Sequence, residues 1–141
     1  MTAIPEPLNA RNSGVYLAPH SHSLSALRRA AAGGGLAWFD FDLKGVTSKT
    51  RLLALCGREL DFPGTFGANW DALADCLQDF SWRRAPGYVI NLTHAAGFAR
   101  AAPQDFSLLL EILDGAAKYW QRQGRTFVAM VDHSPGGLPV F

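Results

Sequence analysis

Only two cysteines, Cys56 and Cys76, occur in 141 residues. The N-terminal stretch MTAIPEPLNARNSG has no basic start and no apolar core, so it is not read as an export signal. The two thiols are therefore expected to be reduced, buried and structural, in a cytoplasmic protein. A nucleophilic thiol wants an electropositive setting, and Cys76 has acids on both sides. No run of about 18 apolar residues is present, so no membrane span is expected. The net charge is only +1, which removes the bulk electrostatic footprint of a nucleic-acid or anionic-membrane binder. Internal repeats, a D-x-[DN]-x-[DN]-G calcium loop and a G-x-S-x-G nucleophile elbow are all missing.

What is present reads as one globular domain. Apolar residues make up 48% and charged residues 18%, enough for a sizeable core. Residues 1–13, with Pro5, Pro7, Asn9 and Asn12, are expected to be a flexible arm. Residues 14–35 read as an added strand and helix. Val15–Leu17 forms a short edge strand stopped by Pro19, and Ser21 or Ser23 caps a helix ended by Gly33-Gly34-Gly35.

Three stronger strands follow, Leu36–Asp42, Tyr88–Leu92 and Thr126–Val131, and helical patterns separate them. Thr47 or Ser48 caps a helix to about Glu59, and another is expected from Trp70 to about Phe80. Pro103 opens the longest helix, where Phe106, Leu109, Leu110, Leu113, Ala117 and Trp120 recur at helical spacing. Residues 134–141 read as a flexible tail. The alternation predicts an α/β domain with a small, mainly parallel sheet of three or four strands packed with helices.

Few residues suit catalysis or a cofactor. His20-x-His22 lacks a third metal ligand and reads as solvated loop. His94 follows a strand but has no nucleophile pattern near it. The three glycines precede a strand, so they form a turn and not a phosphate cradle. Arg28-Arg29 and Arg83-Arg84 read as solvated surface. No cofactor and no metal are expected.

One stretch stands apart: FPGTFGANWDALADCLQDF, from Phe62 to Phe80. Its helix places Asp71, Asp75 and Asp79 at four-residue spacing, and like charges at that spacing repel. On a helical wheel Trp70, Leu73, Ala74, Leu77 and Phe80 share the opposite arc. From Glu59 to Asp79 there are five acids and no lysine or arginine. Most charge runs are solvated faces, but here no lysine compensates. The adjoining loop of Thr65, Phe66 and Gly67 offers an aromatic anchor beside the acids. Asn69 is placed to cap the helix, with Asp71 at the positive end of its dipole. A row of carboxylates meeting a basic protein partner is the favoured use, and direct contact with nucleic acid or membrane is not expected.

The same stretch resembles the barstar family of ribonuclease inhibitors. Pro63, Gly67, Asn69, Asp71, Ala72, Leu73, Asp75, Cys76 and Leu77 carry the resemblance, which spans about Leu36 to Asp132 within a domain taken as residues 36–133. It implies a small parallel sheet with packed helices and no catalysis. It also implies binding to the active site of a basic ribonuclease or related toxin. Asp75 would then stand in for an RNA phosphate, Asp71 would support it, and Thr65–Asn69 would be the contact loop. The resemblance allows a cis peptide before Pro86. This sequence departs from the best-known member at two contact positions, where Thr65 replaces a tyrosine and Ala74 a tryptophan. That member also uses a glutamate of its long helix; Tyr119 falls near that position here, with Asp114 a turn or more earlier. The alternative reading is an interaction module of the same kind that regulates another basic protein without inhibiting a nuclease.

Overall fold

The computed structural model describes residues 8–62, 68–133 and 136–141. The chain runs β1 (Gly14–Leu17), α1 (Ser21–Gly33), β2 (Ala37–Asp42), α2 (Lys49–Glu59), α3 (Trp70–Leu77), β3 (Gly87–Thr93), α4 (Ala96–Ala101), α5 (Pro103–Arg122) and β4 (Thr126–Val131). The four strands form one sheet in the order β1-β4-β3-β2, with every pair parallel. The expected α/β architecture is therefore what the chain adopts.

Burial explains the arrangement. β3 and β4 lie in the centre, and nearly every residue in them is buried, as the unbroken runs YVINL and TFVAMV require. β2, expected among the core strands, is an edge. Its outward residues Asp40 and Asp42 are exposed while Ala37 and Phe41 are buried. One sheet face carries the main core, filled from α2, α3, α4 and α5 by residues such as Leu52, Leu73, Leu77, Phe98, Leu113 and Trp120. The other face is covered by Leu27 and Ala31 of α1 and by Phe141, over Val89, Val128 and Met130.

Gly87 marks the tightest approach in the sheet. A Cβ there would lie 2.8 Å from the Thr126 Cβ and 2.9 Å from the Thr126 carbonyl oxygen. All peptide bonds among the described residues are trans, including the one before Pro86.

The described parts of both ends have more structure than the sequence implied. Residues 10–12 form a 3-10 turn capped by Asn9, the Tyr16 hydroxyl donates to the Asn12 carbonyl, and Gln121 donates to the Arg11 carbonyl. Phe141 is only 8% exposed, and Val140 pairs with Leu17. The apolar ring and the unpaired edge of β1 give the tail somewhere to go. Residues 1–7 and 134–135, the remainder of the expected arm and tail, lie outside the described residues.

Local capping departs in small ways. Ser48, not Thr47, caps α2 by accepting from the Arg51 N–H at 3.3 Å. His20 occupies the N-cap of α1 without a side-chain bond, and Ser23 is buried inside the helix. Arg28 is not simply solvated: it grips Asp40 with two bonds of 2.9 and 3.0 Å and lies over the Trp38 ring. Trp38 and Asn91 also donate to Asp40. Burial raises the Asp40 carboxyl, but these donors and the Arg28 charge outweigh it and hold the group below its ordinary value.

Candidate partner-binding site

The acidic stretch begins with the expected cap. The Asn69 side chain accepts from the Ala72 N–H at 2.8 Å, and Asp71 sits in the first turn of α3. Leu73 and Leu77 are buried against the core, while Asp71 and Asp75 are exposed. Among the described residues neither aspartate side chain has an ion-pair or hydrogen-bond partner. α3 thus presents two exposed carboxylates one turn apart, unpaired among the described residues.

The third acid is not on that helix. α3 stops at Leu77, with Gln78 as its C-cap, three residues before the expected end. Phe80 takes a left-handed backbone, φ 51°, and swings into the core. There it stacks on Tyr88 at 4.1 Å and approaches Trp82 and Trp120. Helical spacing had placed Phe80 on the same face as Leu77. Aromatic stacking instead outweighs the cost of an unusual conformation for a bulky side chain. Asp79 is carried off the α3 row, where it accepts from the Ser81 hydroxyl at 3.2 Å. The three-acid stripe is therefore corrected to a pair, Asp71 and Asp75.

α5 holds the short helix in place. The buried Trp120 indole N–H donates to the Leu77 carbonyl, the last of α3, at 2.7 Å. Nearby, Trp82 donates to the Leu60 carbonyl at 3.1 Å, and the Tyr88 hydroxyl donates to the Arg83 carbonyl at 3.0 Å. These bonds fix both sides of the segment that follows α3.

One depression borders Asp71, and a second lies around Asp79. The first, about 620 Å³, is lined by Lys49, Asn69, Trp70, Asp71, Ala74, Leu108 and Ile112. The small side chain of Ala74 leaves a hollow between α3 and α5, with apolar walls and Asp71 at its rim. Lys49 of α2 lies 5.8 Å from the centre of the Trp70 ring, so a cation distant in sequence stands near the acids. The second depression, about 230 Å³, contains Tyr119 and Asp79 together with Ser81, Arg84, Gln123 and Arg125. Asp114 instead pairs with Lys118 at 3.0 Å and lines a third depression, with Val15, Tyr16 and Leu138.

The structure accordingly brings Asn69, Asp71 and Ala74 together, leaves Asp75 alone on the exposed face, and joins Tyr119 with Asp79 elsewhere. Thr65, Phe66 and Gly67 lie outside the described residues. Lys49, Arg84 and Arg125 were not found from the sequence, because their roles depend on contacts distant in the chain. Leu108 and Ile112 left a faint signal, an apolar i,i+4 pair beside the main stripe of α5.

The thiols follow their surroundings. Burial pushes Cys56 up to about 12. Cys76 is half-buried, not fully buried as expected, and its thiol is raised first by desolvation and then by the charges of Asp79 and Asp75. His94, with φ 55°, puts its Nδ1 2.7 Å from Asp42, and its backbone N–H bonds to Asp132. The Asp42 carboxyl is held below its usual range, first by the Lys44 N–H and then by His94. These are exposed contacts at strand ends, and no group of three or more metal-ligating side chains forms among the described residues.

The molecule so defined is a small α/β protein with a parallel sheet and an exposed, acid-bearing helix locked onto its longest one. A family model described as Barstar (barnase inhibitor) matches residues 36–132, more than half of the sequence, and the chain belongs to that family. No curated protein matches it. No helix among the described residues is long and apolar enough to cross a membrane.

Proposed function

We propose that the chain is a proteinaceous inhibitor that fills the active site of a basic ribonuclease or related toxin and itself catalyses nothing. The observation that carries this reading is the pair Asp71 and Asp75, exposed and with side chains unpartnered among the described residues, on a helix whose opposite face is anchored in the core. Carboxylates kept free of internal partners are available to a cationic cleft, where one of them takes the place of an RNA phosphate. Asp75 has that role. Asp71, Asn69 and the hollow at Ala74 form the adjoining contact, and Thr65, Phe66 and Gly67 are assigned to the same partner-binding surface from the sequence. Family membership supports the inhibitory reading, and reduced thiols suit a cytoplasmic site of action.

The test is an RNA-cleavage assay with a basic, guanyl-preferring ribonuclease, comparing wild type with Asp75→Ala. The substitution is expected to weaken inhibition at least tenfold, about 1.4 kcal/mol or more. High salt should slow association of the wild type and affect the variant less. Equal inhibition by the two proteins would show that Asp75 does not mimic the phosphate.

A second reading, an interaction module that regulates another basic protein without blocking a nuclease, is favoured by one feature. The depression at Tyr119 adds Arg84 and Arg125 beside Asp79, a mixed-charge patch that suits a partner with an acid of its own.

A further inference from the structure

β1, α1 and the last residues of the chain all lie outside the family match, and they pack with one another. β1 is an edge strand. Its Leu17 N–H donates to the Pro139 carbonyl at 2.7 Å, and the Phe141 N–H donates to the Leu17 carbonyl at 3.0 Å. The Phe141 ring enters the small core beneath α1 and meets Tyr16 edge-on at 4.6 Å. The tail is in effect a fifth strand one residue long.

That ladder stops for a covalent reason. The Ala18 N–H bonds inward to Val131, whereas both groups of Leu17 bond outward to the tail, so Val15 also faces outward. In a parallel ladder the residue at position 139 would donate next, to the Val15 carbonyl. Pro139 has no N–H, so this bond cannot form. An open groove of about 460 Å³ lies beside the unpaired stretch, lined by Val15, Leu110, Leu138, Glu111 and Asp114 among others. Glu111 is exposed and has no ion-pair partner among the described residues.

We propose that the open edge of β1 is a strand-addition site for an extended peptide segment of a partner protein, and that residues 138–141 occupy it in the partner's absence. The partner segment lies parallel to β1 and puts an aromatic ring in the Phe141 slot. It has a residue other than proline at the position of Pro139 and a basic residue upstream, against Glu111. It makes the ladder bond to the Val15 carbonyl that the tail cannot make, accepts from the Val15 N–H through the carbonyl two residues earlier, and the tail competes through its tether.

The probe is the synthetic peptide Lys-Val-Leu-Ala-Val-Phe, fluorescently labelled at its N-terminus. It is titrated into the full chain and into Phe141→Ala, which empties the ring slot. Binding to Phe141→Ala is expected to be at least about tenfold tighter than to wild type. Hydrogen exchange at the Val15 amide should slow when the peptide is bound. A peptide N-methylated at its final phenylalanine, which loses the donor to Leu17, should not bind.

Equal binding of the N-methylated peptide overturns the proposal, as does no binding to a folded Phe141→Ala chain. Self-association of Phe141→Ala without peptide binding overturns it in favour of a second copy. If Phe141→Ala does not fold, Pro139→Ala carries the test. Its restored N–H at position 139 should be protected from exchange, and a freely exchanging amide there overturns the edge geometry.

Discussion

Replacing Trp120 by phenylalanine tests how α3 is held. The substitution keeps a ring in the core but removes the N–H that donates to the Leu77 carbonyl at 2.7 Å. That carbonyl ends α3 and has no other hydrogen bond outside its helix among the described residues. A buried carbonyl left without a donor costs about 1–3 kcal/mol. The smaller ring adds roughly 1 kcal/mol for the space it leaves beside Tyr88 and Phe80. The loss is then about 3 kcal/mol, which at a urea dependence of roughly 2 kcal/mol/M lowers the unfolding midpoint by roughly 1.5 M.

The assay is urea unfolding followed by far-UV circular dichroism, with Trp82→Phe as the comparison. Trp82 donates to Leu60 at a longer 3.1 Å from a partly buried position, so its loss should cost about 1 kcal/mol. A Trp120→Phe midpoint within about 0.3 M of wild type, or no lower than that of Trp82→Phe, would refute the anchoring role.

Other outcomes follow from particular contacts. Gly87→Ala forces a Cβ against the Thr126 backbone and should destabilise by about 1–3 kcal/mol in a thermal melt; an unchanged melting temperature would contradict the close approach. Gly115→Ala meets nothing within 4 Å in the middle of α5, so it should stabilise by about 0.5–1 kcal/mol, and a loss in the same melt would mean that the glycine has a packing role. At mildly alkaline pH, Cys76 should react with a disulfide reagent more slowly than a free thiol, because its raised pKa leaves less thiolate; Cys56 should react only on unfolding. Asp79→Asn removes one of the charges that raise Cys76, so its reaction should speed up, and an equal rate would remove that charge from the account.

The parts of this molecule legible in the sequence are those set by local pattern. YVINL and TFVAMV announce buried parallel strands because neither has a polar face to expose. Asn69 announces its helix because a cap needs only its neighbours three residues on. What was not legible depends on partners far along the chain. Phe80 fits the spacing of α3, yet the rings of Tyr88, Trp82 and Trp120 draw it out of the helix. The tail has the composition of a loose end, yet the edge of β1 and the slot beneath α1 hold it. Within the candidate site, the exposure of Asp71 and Asp75 was readable, whereas Lys49 over Trp70 was not.

α3 has only eight residues, too few to be stable as a helix in water by itself. Its shape is imposed by Leu73, Leu77 and the indole of Trp120. The spacing of the two carboxylates is therefore set when the domain folds, not when a partner arrives. For the proposed partner contact, little ordering entropy remains to be lost at this helix, and such preorganisation leaves more of the contact energy for affinity. It also makes recognition hostage to the interior. A substitution that never touches a partner can loosen the grip on α3 and appear in a binding assay as though it were in the interface.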